Sequence, residues 1–172
     1  MPFFPSLSKD AGVRAIWERF NKKAWEGLSI FSRSFMHTDS MLSACEKEMI
    51  AAYVSKLNGS EYCYAGHSRV AINNGISPEI FEPIIEDLEG APVRQEMKPL
   101  LRFIRKLTLK PAQITQSDAD EVFAAGWDEQ SFHEAILVCA RFSMMNRITI
   151  GHGLVVDEEK RFRDALNMNY AP

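Results

Sequence analysis

The sequence predicts an all-α chain folded as a compact helical bundle, and three observations lead there. Apolar residues recur at helical spacing in one segment after another. Glycine and proline fall almost entirely between those segments. No stretch alternates apolar and polar residues over the length of a strand. The 172 residues suffice for one domain with a buried core, and neither a repeat nor a linker divides residues 1–172.

The elements follow in order. Asp10 is read as opening a first helix that carries Val13, Ile16, Trp17 and Phe20. Trp25, Leu28, Ile30, Phe31 and Phe35 continue a second apolar face until His37, Thr38 and Asp39 interrupt it. Ser43 followed by Glu46 is a capping-box pattern, and the helix it starts holds Met49, Ile50, Tyr53, Val54 and Leu57 before Asn58 and Gly59 close it. Ser60 can cap the next helix at once, which runs through Cys63 and His67 to Ile72 and stops at Asn73, Asn74 and Gly75. Ser77–Pro78 restarts the chain, with helices expected over 78–88 and 93–107 and a break at Gly90, Ala91 and Pro92. Thr115 or Ser117 caps a short helix ending at Gly126. Asp128 opens a long apolar helix to Ile148, and Asp157 begins a polar C-terminal one.

Composition narrows the function classes. Apolar residues make up 46% and charged residues 25%, which is globular rather than disordered. Twenty basic against 23 acidic side chains give a net charge of −3, and with no Lys/Arg cluster a nucleic-acid surface is excluded. The longest apolar stretch, 135–150, contains Arg141, Asn146 and Arg147 and reads as a buried helix, not a membrane span. The start of the chain lacks a signal-peptide pattern, and the odd set Cys45, Cys63 and Cys139 suits free thiols in a reducing compartment, so a cytoplasmic setting is expected. His37, His67, His133 and His152 lack metal-ligand spacing, and no phosphate-binding loop or dinucleotide fingerprint occurs; no metal or cofactor is expected.

Chemistry is concentrated between Glu48 and His67, in EMIAAYVSKLNGSEYCYAGH. With Ser60 at the N-cap, Cys63 falls in the first turn of its helix, where unpaired amides and the helix dipole favour a thiolate. His67 follows four residues later on the same face and can accept or return a proton. At ~1.5 Å rise per residue, Glu48 lies ~15 Å and His67 ~10 Å from the intervening turn. Across antiparallel helices roughly 8–10 Å apart a glutamate side chain spans that offset. A carboxylate there fixes the imidazole tautomer and raises its basicity. The alternative for each residue is plain packing, since cysteines and histidines on apolar helices are commonly core residues.

At these residues the chain resembles the alkylhydroperoxidase-D-like branch of the carboxymuconolactone decarboxylase family, in particular its peroxidase-related members. That family's motif is a glutamate, then Cys-x-x-Cys, then x-x-x-His. Glu48, Cys63 and His67 fall on it, while Ser60 stands at the first cysteine. The similarity extends from Leu42 to about Leu154, densest over 42–75. It implies an oligomeric all-helical bundle that reduces hydroperoxides with thiols. In members with both cysteines the second attacks and the first resolves; here Ser60 cannot form that disulfide. Cys45 lies ~15 Å further from the turn than Cys63 along the axes, well beyond the roughly 7 Å that a bridge allows between Cα atoms. Cys139 reads as core.

Three functions are therefore weighed. The first is a peroxidase in which Cys63 attacks a small-molecule hydroperoxide and an external thiol, or a cysteine of another subunit, restores it. The second is acid–base chemistry by Glu48 and His67 on an acidic metabolite, with Arg141 or Arg147 as carboxylate anchor, as in the decarboxylase branch. The third is a silent member of the family in which Ser60 is simply an N-cap. A homo-oligomer is expected for a further reason: the hairpin, the long helix and the aromatic-rich N-terminal segment offer more apolar faces than a small bundle buries.

Overall fold

A computed structural model describes residues 2–155 as eight α-helices and two short 3-10 turns, with no strand among the described residues. They are α1 (Val13–Phe20), α2 (Lys22–Met36), α3 (Ala44–Leu57), α4 (Glu61–Asn73), α5 (Pro83–Glu86), α6 (Met97–Leu109), α7 (Gln116–Ala124) and α8 (Glu129–Gly151). The all-α expectation holds. The helix expected from Asp157 lies outside the described residues.

α3 is the central element. Every residue from Lys47 to Ser55 is buried, so this helix is enclosed on all sides and carries no polar stripe. Ala51 and Ala52 let neighbours approach closely, while Met49, Ile50, Tyr53 and Val54 fill the space between α4, α6 and α8. Burial of side chains this size stabilises the fold by about 1.5–3 kcal/mol each. α6, by contrast, is amphipathic: Leu100, Leu101 and Ile104 face inward and Arg102 outward.

The caps read from the sequence set the α3–α4 hairpin. Ser43 Oγ accepts the Glu46 amide, and Glu46 Oε2 accepts the Ser43 amide at 3.0 Å. At the other end Gly59 takes φ +72°, its amide donates to Lys56 O at 3.0 Å, and the Ser60 amide donates to Ser55 O at 2.8 Å. That pair of bonds is a Schellman motif, and it turns the chain straight into α4. α8 closes with the same motif: the Gly153 amide bonds Ile150 O and the Leu154 amide bonds Thr149 O.

Some expected boundaries differ, for physical reasons. α1 starts at Val13 rather than Asp10: the Ala11 amide closes a turn on Ser8 O at 3.0 Å and Gly12 is extended at the N-cap, while the Val13 amide, which has no helical carbonyl to meet, donates to Tyr62 Oη at 2.9 Å. The helix expected over 78–88 is a 3-10 turn at Pro78–Ile80 followed by α5, since Pro83 cannot sit in a helix interior. α6 begins at Met97 rather than Val93, which leaves Pro99 in the first turn, where no amide is needed. The second apolar face is also divided. Phe35 is buried, and Trp25 and Leu28 pack inward, but Ile30 is 64% exposed and Phe31 faces solvent too.

One buried ion pair ties α3 to α8. Lys47 Nζ lies 2.7 Å from Glu134 Oε2, both side chains fully enclosed. Thr38 Oγ1, Ser40 Oγ and Gln130 Nε2 donate to the same carboxylate at 2.6–2.8 Å. Burial opposes the charge, but these hydrogen bonds outweigh it and hold the Glu134 carboxyl down at about 2. No helix among the described residues is long and apolar enough to cross a membrane.

Candidate active site

α3 and α4 bring Glu48 and His67 together. His67 Nδ1 lies 2.6 Å from Glu48 Oε2, and both side chains are about 95% buried. A carboxylate oxygen only accepts, so Nδ1 carries the hydrogen and Nε2 is left as the basic nitrogen. The Phe142 ring of α8 meets the imidazole edge-to-face, 4.3 Å between centroids, and fixes its plane. Glu48 Oε1 has no hydrogen bond to the protein.

Cys63 occupies the third position of α4, one turn before His67 on the same face. It is buried beside Val13, Tyr62 and Met145, with Trp17, Trp25, Leu28 and Leu154 packed around them. α1 and α2 thus cover the thiol; the two tryptophans stack with 6.2 Å between centroids. Tyr62 holds this cover down by accepting the Val13 amide at its hydroxyl.

The thiol's hydrogen-bond partner is not His67. Cys63 Sγ lies 3.4 Å from Thr149 Oγ1 of α8. Ser60 Oγ approaches the same hydroxyl at 3.2 Å. Ser60 therefore holds the N-cap position of α4, but its side chain does not cap, because the hydroxyl is turned toward Thr149. The two positions of the family motif converge on one threonine, a residue that the sequence reading did not single out.

Asn146, one helical turn earlier on α8, pins the hairpin itself. Its Oδ1 accepts from Asn58 Nδ2 at 3.0 Å and its Nδ2 donates to Ser55 Oγ at 3.0 Å. The available signal was two polar residues, Asn146 and Thr149, three apart within the longest apolar stretch.

The other residues considered sit apart. Cys139 is buried against Thr108 Oγ1 at 3.3 Å, and burial pushes its thiol up. Cys45 is half-buried in the first turn of α3, 3.2 Å from Ser43 Oγ. Arg147 donates to Ser143 O at the surface. Arg141 is buried; its Nε donates to Ser32 Oγ at 2.7 Å, and its guanidinium lies over the Phe142 ring.

Residues 17–87 match the family model of the Carboxymuconolactone decarboxylase family. No curated protein matches the chain. Among solved structures, an uncharacterised peroxidase-related protein from Silicibacter sp. TM1040 superposes with a TM-score of 0.74 at 25% identity, over 83% of this chain and 74% of that one. An uncharacterised peroxidase-related protein from Ralstonia eutropha JMP134, described as an alkylhydroperoxidase AhpD core, gives 0.74 at 18% identity over the same shares. A protein of unknown function from Agrobacterium tumefaciens gives 0.70 at 17%, over 81% and 94% of the two chains. The described helices thus have the fold of these proteins.

Proposed function

We propose that this chain, whose residues 17–87 match the carboxymuconolactone decarboxylase family model and whose helices have an alkylhydroperoxidase-D-like fold, is a thiol-dependent peroxidase acting through Cys63. The observation that carries this reading is the buried 2.6 Å bond between His67 and Glu48, one turn from the only cysteine of the motif. A nucleophile needs an oriented base, and this pair supplies one on the same helix face as Cys63.

In the proposed cycle the Cys63 thiol gives its proton to His67 Nε2, and the thiolate attacks the terminal oxygen of a hydroperoxide. The O–O bond breaks, sulfur gives up two electrons, and the alkoxide leaves with the proton that Nε2 has just received. The products are an alcohol and Cys63 as the sulfenic acid. An external thiol then displaces water to form a mixed disulfide, and a second thiol releases Cys63 and the oxidised reductant. Glu48 holds the imidazole in the tautomer that this cycle uses. Ser60 occupies the resolving position without a sulfur, so reduction comes from outside the protomer.

Features outside the site fit this setting. Three unpaired cysteines support a reducing, cytoplasmic location. Ile30 and Phe31, exposed side by side on α2, support assembly with further copies of the chain.

The test is turnover of an organic hydroperoxide with dithiothreitol as reductant. Wild type is expected to turn over, Cys63→Ser to be inactive, and Glu48→Gln to lose about 10²-fold or more, as for loss of a positioned acid–base group. Turnover unchanged in Cys63→Ser would refute the reading.

A further inference from the structure

Thr149 has one hydroxyl hydrogen and three neighbours that want it. Its Oγ1 lies 3.0 Å from Asn146 O, 3.2 Å from Ser60 Oγ and 3.4 Å from Cys63 Sγ. A carbonyl can only accept, so in this arrangement the Thr149 hydrogen is directed at Asn146 O. Toward Ser60 and Cys63 the same oxygen then only accepts: Ser60 donates its O–H and Cys63 donates its S–H. The resting geometry is that of a protonated thiol.

A thiolate reverses the demand, because it has nothing to donate and requires a donor. Thr149 meets that demand by a rotation about one bond, which swings its hydrogen from Asn146 O to Cys63 Sγ. The rotation is cheap at the carbonyl, since α8 runs unbroken past Asn146 and the carbonyl keeps its helical amide partner. No other atom has to move. The threonine itself cannot drift, because it is almost wholly buried and its backbone carbonyl is held by the Leu154 amide at 3.0 Å.

We propose that Thr149 is a positioning residue for Cys63, accepting from the thiol at rest and donating to the thiolate when Cys63 ionises. The proposal rests on Cys63 being the nucleophile, and it assigns the stabilisation of the thiolate to a hydroxyl on α8 as well as to the first turn of α4. The two bonds do not cancel. An S–H is a weak donor, whereas a bond to an ionised acceptor is about twice as strong as a neutral one, so loss of the hydroxyl disfavours the thiolate.

The experiment is the rate of Cys63 alkylation by iodoacetamide against pH, read peptide by peptide on the full chain so that Cys45 and Cys139 do not contribute. Thr149→Val, nearly the same shape without a hydroxyl, is expected to move the midpoint upward by about one pH unit. Thr149→Ser, which keeps the hydroxyl, is expected to stay close to wild type. Should the valine variant fail to fold by circular dichroism, Thr149→Ala replaces it with the same expected shift. Equal midpoints in wild type and the variant lacking the hydroxyl, or a serine variant that follows the valine one, would overturn the role of Thr149 alone. A Cys63 that takes up no reagent in any of these proteins up to about pH 10, where an ordinary thiol is fully ionised, would overturn both Thr149 and the nucleophile on which it depends.

Discussion

Replacing Lys47 by Met gives the clearest stability prediction, because the lysine reaches Glu134 from a fully buried position one residue before Glu48. The aliphatic stem is matched, so the change removes little volume but takes away the charge and its hydrogen bonds to Thr38 O and Oγ1. It leaves Glu134 with three neutral donors and no cation, which costs about 3–5 kcal/mol at neutral pH. For a chain of this size that corresponds to a fall in Tm of roughly 10 °C.

The pH dependence provides a second handle. Glu134 has its carboxyl lowered from 4.5 to about 2 in the folded protein. A depressed carboxyl contributes stability that is fully present above its unfolded value and is lost as pH falls through the folded one. The contribution, on the order of 3 kcal/mol from the size of the depression, therefore disappears between about pH 4.5 and pH 2. The difference between wild type and Lys47→Met should narrow over that same window. Urea unfolding at neutral pH and at a series of acid pH values reads it directly, and adding Glu134→Gln to Lys47→Met should recover most of the loss. A deficit of equal size throughout that range would show that Lys47 matters as packing and that the argument from charge is wrong.

Two further outcomes follow from the hairpin. Asn146→Leu removes both bonds to the α3–α4 turn and should destabilise the protein by about 1–3 kcal/mol in urea unfolding; an unchanged midpoint would mean that the turn's backbone motif suffices without α8. Ser60→Cys places a second sulfur where the Ser60 hydroxyl now shares Thr149 with Cys63. One equivalent of hydroperoxide should then yield an intramolecular disulfide to Cys63, seen as a mass lower by two hydrogens, and the appearance of sulfenic and sulfinic forms alone would contradict the shared geometry.

Much of this was legible in the chain because local rules determine it. Ser43 with Glu46, the Gly59 turn, and Asp128 ahead of α8 are short-range devices, and each lies where its pattern placed it. Glu48 opposite His67 followed from helix rise and a tight turn alone. Two boundaries were misplaced where a proline inside an apparent helix, Pro83 or Pro99, carried more weight than the apolar period around it. Thr149 was missed for a different reason. Its partners Ser60 and Cys63 are more than eighty residues away, and only the packing of α8 across the hairpin brings them to it. The partner of the first amide of α1 is of the same kind, since Val13 donates to Tyr62, 49 residues away.

The most direct test of the account is mass spectrometry of the intact and digested protein after one equivalent of an organic hydroperoxide, with a sulfenic-acid trap present. The account predicts one added oxygen, trapped at Cys63 and absent in Cys63→Ser, with Cys139 unmodified. An unoxidised Cys63 beside oxidised Cys45 or methionine would contradict it.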